Sequence, residues 1–207
     1  LVENPVSSSL HTKNGILVTG SNASGKSTFI KSVAINQILG QTIFTTCAKS
    51  YSASFFNIYT SMALKDDVLK NESYYIVEIK SLKRIIDKSK DKIPTLCFVD
   101  EILRGTNTIE RIASSSEVLS YFNDSNCICF AATHDIELTY LLENKFENYH
   151  FEEEITDNDI VFDYKLRSGR AKSRNAIKLL GLMGYDEKII EDANERAAIF
   201  VRTGKWK

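Results

Sequence analysis

The sequence has no strong excess of charge of either sign. Its 207 residues contain 26 Lys and Arg against 27 Asp and Glu, and the formal net charge at pH 7 is −1. A domain that binds nucleic acid through its own surface usually carries a clear positive excess. The composition therefore argues against DNA binding by this segment alone, and any contact with DNA is expected from regions outside it.

Long apolar runs and paired cysteines are also missing. No run of about 18 apolar residues occurs, so nothing here is expected to span a bilayer. The four cysteines lack C-x-x-C spacing and three lie in apolar runs, which favours reduced thiols and predicts a cytoplasmic protein. The chain begins "LVENPV", without Met or a signal peptide, which predicts a domain excised from a longer protein. Since no internal repeats occur, we predict one domain over residues 1–207.

Apolar runs rich in β-branched residues alternate with helical patterns along the chain. We predict strands at Ile16–Thr19, Thr95–Asp100 and Cys127–Thr133. Helices are expected from Lys26 to about Leu39, Tyr74 to Lys88, Glu110 to Tyr121, Asp135 to Glu143 and Asp186 to Phe200. Short apolar strands that alternate with helices indicate a mostly parallel sheet covered on both faces.

Two further stretches have weaker patterns. "SFFNIYTSM" (54–62) is strand-like and is followed by the polar loop "ALKDDVLKNES" (63–73). Later, "YHFEEEI" and "IVFDYKL" flank the turn-prone "TDND" and predict an antiparallel hairpin with a polar tip. The predicted fold class is therefore α/β, with a mostly parallel sheet flanked by helices and an added antiparallel hairpin.

A glycine-rich segment, Gly20 to Ser27, matches the pattern G-x-x-x-x-G-K-[ST] between a predicted strand and a predicted helix. Glycines let the backbone curl so that successive N–H groups point at phosphate oxygens, and the helix adds its positive N-terminal end. Lys26 would supply charge for the β- and γ-phosphates, and the Ser27 hydroxyl can ligate Mg²⁺. The alternative is a purely structural turn. The predicted phosphate-binding residues are Gly20, Ser21, Asn22, Ala23, Ser24, Gly25, Lys26, Ser27 and Thr28.

Two carboxylates end the next buried strand, "TLCFVDE" (95–101). Asp100 lies where P-loop ATPases hold Mg²⁺ or its waters, and Glu101 can act as a general base on the attacking water. A third strand, "CICFAATHD" (127–135), ends in His134, which is placed to hydrogen-bond the γ-phosphate or that water. The alternative for His134 is a histidine with no catalytic role. The loop "GTNT" after Glu101 has no core-building role and predicts a contact across an ATP-bound dimer.

Four motifs, taken in order, resemble the ATPase domain of the MutS family of DNA mismatch-repair proteins. They are "TGSNASGKST", "ESYYIVEI", "FVDEILRGTNT" and "FAATHD". The opening "LVENPV" resembles the family's lead-in to the phosphate loop, and "RSGRAKSRNAIKLLGLMGYDEKIIEDA" resembles its closing Ser-x-Gly-Ile … Gly-Leu segment. The resemblance therefore covers nearly the whole chain.

This resemblance implies a P-loop NTPase of the ABC-ATPase type, in which two copies enclose two ATP molecules with Mg²⁺. One copy would contribute the phosphate loop and the Asp-Glu pair, and the other would contribute the signature residue Ser73. His134 would be the switch histidine, while His150 and, through the lead-in, Leu1 would lie on the adenine side. For His150 the alternative is an ordinary histidine on the hairpin surface.

Some positions depart from the family pattern. The signature Thr-Phe is Tyr74-Tyr75 here, the Asp-Gly that follows the loop is Glu110-Arg111, and Ser61 replaces an arginine. These differences favour a divergent MutS-related paralogue, and they leave the ATP site itself intact.

The leading hypothesis is a DNA-linked ATPase, in which ATP closes a homodimer and the closure acts on DNA held by upstream regions. A transporter subunit would need a Leu-Ser-Gly-Gly-Gln type signature, which is absent, and no membrane contact is expected. A small-molecule kinase would need an Arg-rich lid, for which only "LRSGRAKSR" is available. Two readings stay open beside the first: a paralogue that acts in recombination or elsewhere outside repair, and a nucleotide-binding module with little hydrolysis.

Overall fold

The structure is a computed structural model that describes residues 5–62, 73–155, 159–171 and 175–206. The chain divides into two compact units. The larger consists of Leu1–Glu152 and Tyr164–Ala171, and the smaller of Glu153–Asp163 and Lys172–Lys207. No helix in the described ranges is long and apolar enough to cross a membrane.

A six-stranded sheet forms the larger unit, in the order β2-β3-β4-β1-β5-β8. The strands are β1 Gly15–Thr19, β2 Asn57–Ser61, β3 Thr95–Asp100, β4 Cys127–Thr133, β5 Phe146–His150 and β8 Arg167–Ser168. The first five in the spatial order pair in parallel, and β8 pairs antiparallel with β5. The predicted mostly parallel sheet is confirmed, and β3 and β4 have the predicted bounds.

Four helices accompany this sheet: α1 Lys26–Ile43, α2 Tyr74–Lys88, α3 Thr108–Asn123 and α4 Ile136–Leu141. Helix α2 has the predicted bounds, whereas α1 and α3 run further than predicted and α4 is shorter. The sequence predicts α1 only to about Leu39, but the helix continues to Ile43 and ends in a left-handed residue, Phe44. The predicted polar loop lies almost entirely outside the described residues.

Neighbouring residues of β1 enter two different cores because successive side chains of a strand point to opposite faces. Leu17 packs in a cluster with side chains of α2, α3 and α4, such as Ile85 and Phe122. Ile16 and Val18 pack in a second cluster with α1. Helix α1 therefore covers one face of the sheet, and the other three helices cover the opposite face. Three cysteines lie in this interior as free thiols, as predicted, while the fourth is exposed.

The smaller unit contains a two-stranded sheet and two helices: β6 Glu153–Ile155, β7 Ile160–Phe162, α5 Ala176–Leu182 and α6 Glu187–Thr203. β6 and β7 pair antiparallel, which confirms the predicted hairpin. The hairpin is shorter than predicted, since Tyr149 and His150 belong to β5 of the larger sheet. Neither helix of this unit buries a side chain among the described residues.

The carboxyl ends of the central strands lie side by side. Thr19 of β1 pairs with Thr133 of β4, and Asp100 of β3 pairs with Ala132 of β4. The segments that follow these strands therefore leave the same edge of the sheet, where open α/β folds bind their ligands.

Candidate active site

The phosphate loop (Gly20–Ser27) owes its shape to left-handed residues. Gly20 and Gly25 have φ of 144° and 111°, and Ala23 has φ of 64°. A Cβ built on Gly20 would lie 2.8 Å from the Phe151 carbonyl oxygen and 2.9 Å from Ser24 Oγ. Glycine is therefore required at position 20 by both conformation and space.

Helix α1 begins inside this loop with its first turn uncapped by any side chain. Its N-cap residue, Gly25, has no side chain to offer, and the first turn contains no acidic residue. In this first turn the Phe29 N–H donates to the Gly25 carbonyl at 2.9 Å. Backbone N–H groups at such a terminus, together with the helix dipole, form an anion-binding site.

Lys26 lies inside the loop and is only 5% exposed. Its Nζ donates to the carbonyl oxygens of Gly20, at 2.8 Å, and Ser21, at 2.7 Å. The same Nζ lies 3.4 Å from His134 Nε2. The ammonium group is thus held within the phosphate loop, on the side that faces the carboxyl end of β4.

The buried polar atoms without a hydrogen-bond partner within the described part of the chain include Ser24 Oγ in the phosphate loop and Asp100 Oδ1 at the end of β3. Buried atoms of this kind are costly unless a ligand supplies the missing partner. The described residues contain no group of three or more His, Cys, Asp or Glu side chains that could hold a metal. Mg²⁺ suits such a place, because it is usually bound by one or two protein oxygens together with phosphates and water.

Glu101 is the centre of the next group of contacts. Its backbone is left-handed, with φ of 57°, and its N–H donates to the Ala132 carbonyl at 2.9 Å. Its Oε1 lies 2.8 Å from His134 Nε2, and its Oε2 lies 2.7 Å from Arg104 Nη1. Lys26, His134 and Glu101 therefore form a continuous line of contacts from the phosphate cradle to the carboxylate.

Helix α2 supports the loop that carries Glu101, which we call the base loop (residues 101–107). Glu78 is buried in α2, and its Oε1 accepts a hydrogen bond from the Leu103 N–H at 2.5 Å, where Leu103 has φ of 54°. Burial, as the main cause, raises the pKa of the Glu78 carboxyl above its ordinary value. A Cβ on Gly105 would lie 2.7 Å from Tyr75 Cβ, so α2 and the base loop are in close contact there too.

A second ion pair lies beside His134. Arg111 of α3 donates to both carboxylate oxygens of Asp135, from Nε at 2.8 Å and from Nη2 at 2.6 Å. The Asp135 carboxylate is the main cause that raises the pKa of the Arg111 guanidinium. In the sequence, Arg111 stands out only as a departure from a family pattern, and no role is predicted for Asp135 or Glu78.

A signal for Glu78 is present in the sequence. Glu78, Leu82 and Ile85 follow one another at the spacing of a buried helix face, and all three are buried. A carboxylate on an apolar face is expected to have a specific partner. No comparable signal exists for the pairing of Arg111 with Asp135, because each stands in a polar surrounding near a helix start.

Ser73 lies at the N-cap of α2, exposed, and its carbonyl accepts hydrogen bonds from the N–H groups of Ile76 and Val77. Next to it, Tyr74 is partly buried, and this burial raises the pKa of its hydroxyl, with a smaller contribution from the charge of Glu78. The action of Ser73 on a second copy stays a prediction.

His150 is buried at the end of β5, opposite Thr19. Its Nδ1 lies 2.9 Å from the Gly169 carbonyl oxygen, and its Nε2 lies 3.1 Å from Glu152 Oε1. The alternative of an ordinary histidine on the hairpin surface is wrong, since the His150 side chain is buried and belongs to β5. Its adenine contact stays a prediction, and Leu1 lies outside the described residues.

Comparison with known proteins connects this geometry to a family. The sequence matches the family model described as MutS domain V over residues 16–200. The chain belongs to the MutS family. Domain V is the ATPase domain of that family, which accords with the P-loop architecture of the larger unit.

Individual relatives point the same way. The DNA mismatch repair protein MutS of Pseudothermotoga lettingae is 31% identical over 188 residues, which cover 89% of this chain and 23% of the relative. The MutS protein homolog 4 of Homo sapiens is 31% identical over 207 residues, covering 93% of this chain and 22% of the relative. This chain is thus a divergent member and spans less than a quarter of the length of these curated relatives.

Proposed function

We propose that this chain binds ATP with Mg²⁺ and hydrolyses it as the ATPase domain of a MutS-type protein. The line of contacts from Lys26 through His134 to Glu101 is the observation that carries the proposal. It joins an anion cradle to a carboxylate over a short distance, as hydrolysis of a phosphoanhydride requires. A structural turn would have no need of a buried lysine at that position.

In this proposal the phosphate loop binds the triphosphate through the backbone N–H groups of residues 20–28, and Lys26 neutralises charge on the β- and γ-phosphates. Ser27 and Asp100 would hold Mg²⁺, which supplies charge stabilisation at the phosphates. Glu101 takes a proton from the attacking water as the general base. His134, in contact with both Glu101 and Lys26, orients that water toward the γ-phosphate.

The proposal extends to a homodimer. Ser73 of a second copy would complete each ATP site, while His150 and Leu1 would lie beside the adenine. ATP then favours the closed dimer because it binds that state more tightly than the open one. DNA would be bound by regions outside this chain, as suggested by relatives named for DNA mismatch repair. The nearly neutral charge of the chain supports the placement of DNA binding in those other regions.

The assigned base is tested by Glu101→Gln in the complete protein that contains this chain. The variant keeps the shape of the side chain but loses the proton acceptor, so we expect ATP to bind normally while turnover falls by about a hundredfold or more. ATP should also trap the variant as a dimer, because the closed state is no longer released by hydrolysis. Nucleotide affinity, phosphate release and mass in solution with ATP are the measurements.

Glu117→Gln is the matched control, because Glu117 is an exposed carboxylate on α3. It should hydrolyse ATP at the wild-type rate. Wild-type turnover by Glu101→Gln would overturn the assignment of the base. ATP binding without turnover in the wild-type protein would favour the module with little hydrolysis, for which the engagement of both Glu101 carboxylate oxygens is the supporting observation.

A further inference from the structure

Arg111 forms a two-point ion pair that crosses from one helix to the start of another. It is the fourth residue of α3, and its Nε and Nη2 donate to Asp135 Oδ2 and Oδ1 at 2.8 and 2.6 Å. The side chains are 22% and 13% exposed. A partly buried bidentate pair of this kind is both stronger and more directional than a surface ion pair.

Asp135 contacts Arg111 instead of making the side-chain hydrogen bond that is usual at its position in a helix. It is the N-cap residue of α4, a position where an aspartate usually accepts from the backbone of its own helix. Its side chain makes no such bond, and both carboxylate oxygens are turned to Arg111. The Asp135 N–H is held by Thr133 Oγ1 at 3.0 Å. The residue is therefore fixed from the strand side and from α3.

His134 lies between these two fixed neighbours, Thr133 and Asp135. Its ring reaches Glu101 and Lys26 at 2.8 and 3.4 Å, so a small rotation of this segment would break the line of contacts. We propose that Arg111 is a positioning residue, which holds Asp135 so that the His134 ring stays between the phosphate cradle and the base. This inference rests on the proposed ATPase function.

The same pair connects His134 to the surface of the base loop. Asn107 caps α3 by accepting from the Glu110 N–H at 3.0 Å, and Thr106 Oγ1 donates to Glu110 Oε2 at 3.1 Å. The loop and the first turn of α3 are thereby one piece, and Arg111 belongs to it. Arg111 thus connects the base loop to the segment that carries His134.

The test compares Arg111→Ala, Arg111→Lys and Asp135→Asn in the complete protein. We expect kcat to fall by about tenfold to a hundredfold in Arg111→Ala while ATP affinity changes by less than about threefold. Lysine cannot form the two-point contact, so Arg111→Lys should restore only part of the rate. Asp135→Asn keeps the side-chain shape and should lower kcat in the same way. The double variant Arg111→Ala/Asp135→Asn should be no slower than the slower single variant.

Arg170→Ala is the matched control. Arg170 also binds a carboxylate, Glu143 at 2.6 Å, and donates to the Thr139 carbonyl, but it secures the other end of α4. It should lower thermal stability and leave kcat unchanged. In the nucleotide-free protein, NMR signals of the His134 ring should shift in Arg111→Ala and stay in place in Arg170→Ala.

Each outcome decides between the positioning role and its alternatives. If kcat falls in Arg111→Ala and in Arg170→Ala only in proportion to the loss of stability, Arg111 is a structural residue and the inference is overturned. Should Arg111→Ala fail to fold, Asp135→Asn with wild-type kcat would overturn it equally. An unchanged kcat in these variants of an active wild-type protein would leave the ATPase proposal standing. A wild-type protein without turnover would instead remove that proposal and this inference together.

Discussion

The two loops that frame the site reach similar backbone conformations by different means. The phosphate loop places glycines at two of its left-handed positions, with φ of 144° and 111°. The base loop has non-glycine residues, Glu101 and Leu103, at φ of 57° and 54°. A left-handed conformation costs a non-glycine residue about 1–2 kcal/mol. Glycine thus removes most of this strain from the phosphate loop, where only Ala23 is a left-handed non-glycine residue, while the base loop must be stabilised by its surroundings.

Those surroundings are identifiable. The Glu101 N–H is bound to the Ala132 carbonyl, the Leu103 N–H to Glu78, and the Ile102 carbonyl receives a long 3.5 Å contact from the Ser115 hydroxyl. One neighbouring strand, β4, and two helices, α2 and α3, each contribute one contact. We therefore expect the base loop to be more sensitive than the phosphate loop to substitutions at distant positions.

Of the changes that test this comparison, Gly20→Ala is expected to have the largest effect, because it removes a glycine that shapes the phosphate loop. The added methyl group would meet the Phe151 carbonyl at 2.8 Å in a backbone conformation that alanine avoids. We expect a loss of about 1–3 kcal/mol in the free energy of unfolding and at least a tenfold loss of ATP affinity, because the cradle must shift. Denaturant unfolding and nucleotide titration measure the two effects.

Gly184→Ala is the matched control, since Gly184 also has a left-handed φ, of 77°, but nothing lies within 4 Å of its added methyl group. It should lower stability and leave ATP affinity unchanged. Wild-type ATP affinity in Gly20→Ala would contradict the view that this glycine shapes the cradle.

An intermediate effect is expected from Glu78, on which the base loop depends from a distance. Glu78→Ala leaves the Leu103 N–H without its acceptor and should lower the free energy of unfolding by about 1–3 kcal/mol. Turnover should fall with little change in ATP affinity, since the phosphate loop is not touched. Glu78→Gln retains a carbonyl oxygen for Leu103 and should keep most of the turnover. Equal losses in both variants would contradict a role as hydrogen-bond acceptor.

The pH dependence of stability gives a further prediction for the same residue. Burial raises the folded-state pKa of Glu78 above the ordinary value of 4.5. A raised carboxyl pKa means that the folded state binds the proton more tightly, so this contribution to stability is present below 4.5 and is lost as the pH rises. As the pH rises from 4.5 through the folded-state pKa of Glu78, wild type should therefore lose stability relative to Glu78→Gln. A constant or opposite difference in denaturant unfolding would contradict the sign.

The smallest effect is expected from Arg104→Ala. Arg104 contacts Glu101 at 2.7 Å, but its side chain is 69% exposed. Such an ion pair is screened by solvent, so the free energy of unfolding should change by less than about 1 kcal/mol. High salt should reduce even that difference between variant and wild type. A larger loss would mean that the surface, and not the buried side of the loop, holds Glu101 in place.

The sequence predicted the local features of this site but not the contacts between residues that lie far apart in the chain. The strand ends at Thr19, Asp100 and Thr133 are readable from apolar runs, and the curl of the phosphate loop is readable from its glycines. The local sequence does not predict which residue a polar side chain will contact. His150 illustrates this, because its sequence neighbours do not identify the Gly169 carbonyl and Glu152 as the partners of its two ring nitrogens.

What the sequence alone determined is local: the α/β alternation, the phosphate loop, the carboxylates at the end of β3 and the membership of the MutS family that these motifs indicate. Their signals lie within a few residues, since periodicity and glycine requirements act over one turn or one strand. Only the tertiary structure decided that Glu78 supports Leu103 and that Arg111 holds Asp135. These partners lie 25 and 24 residues apart and meet because the strand order brings their elements together.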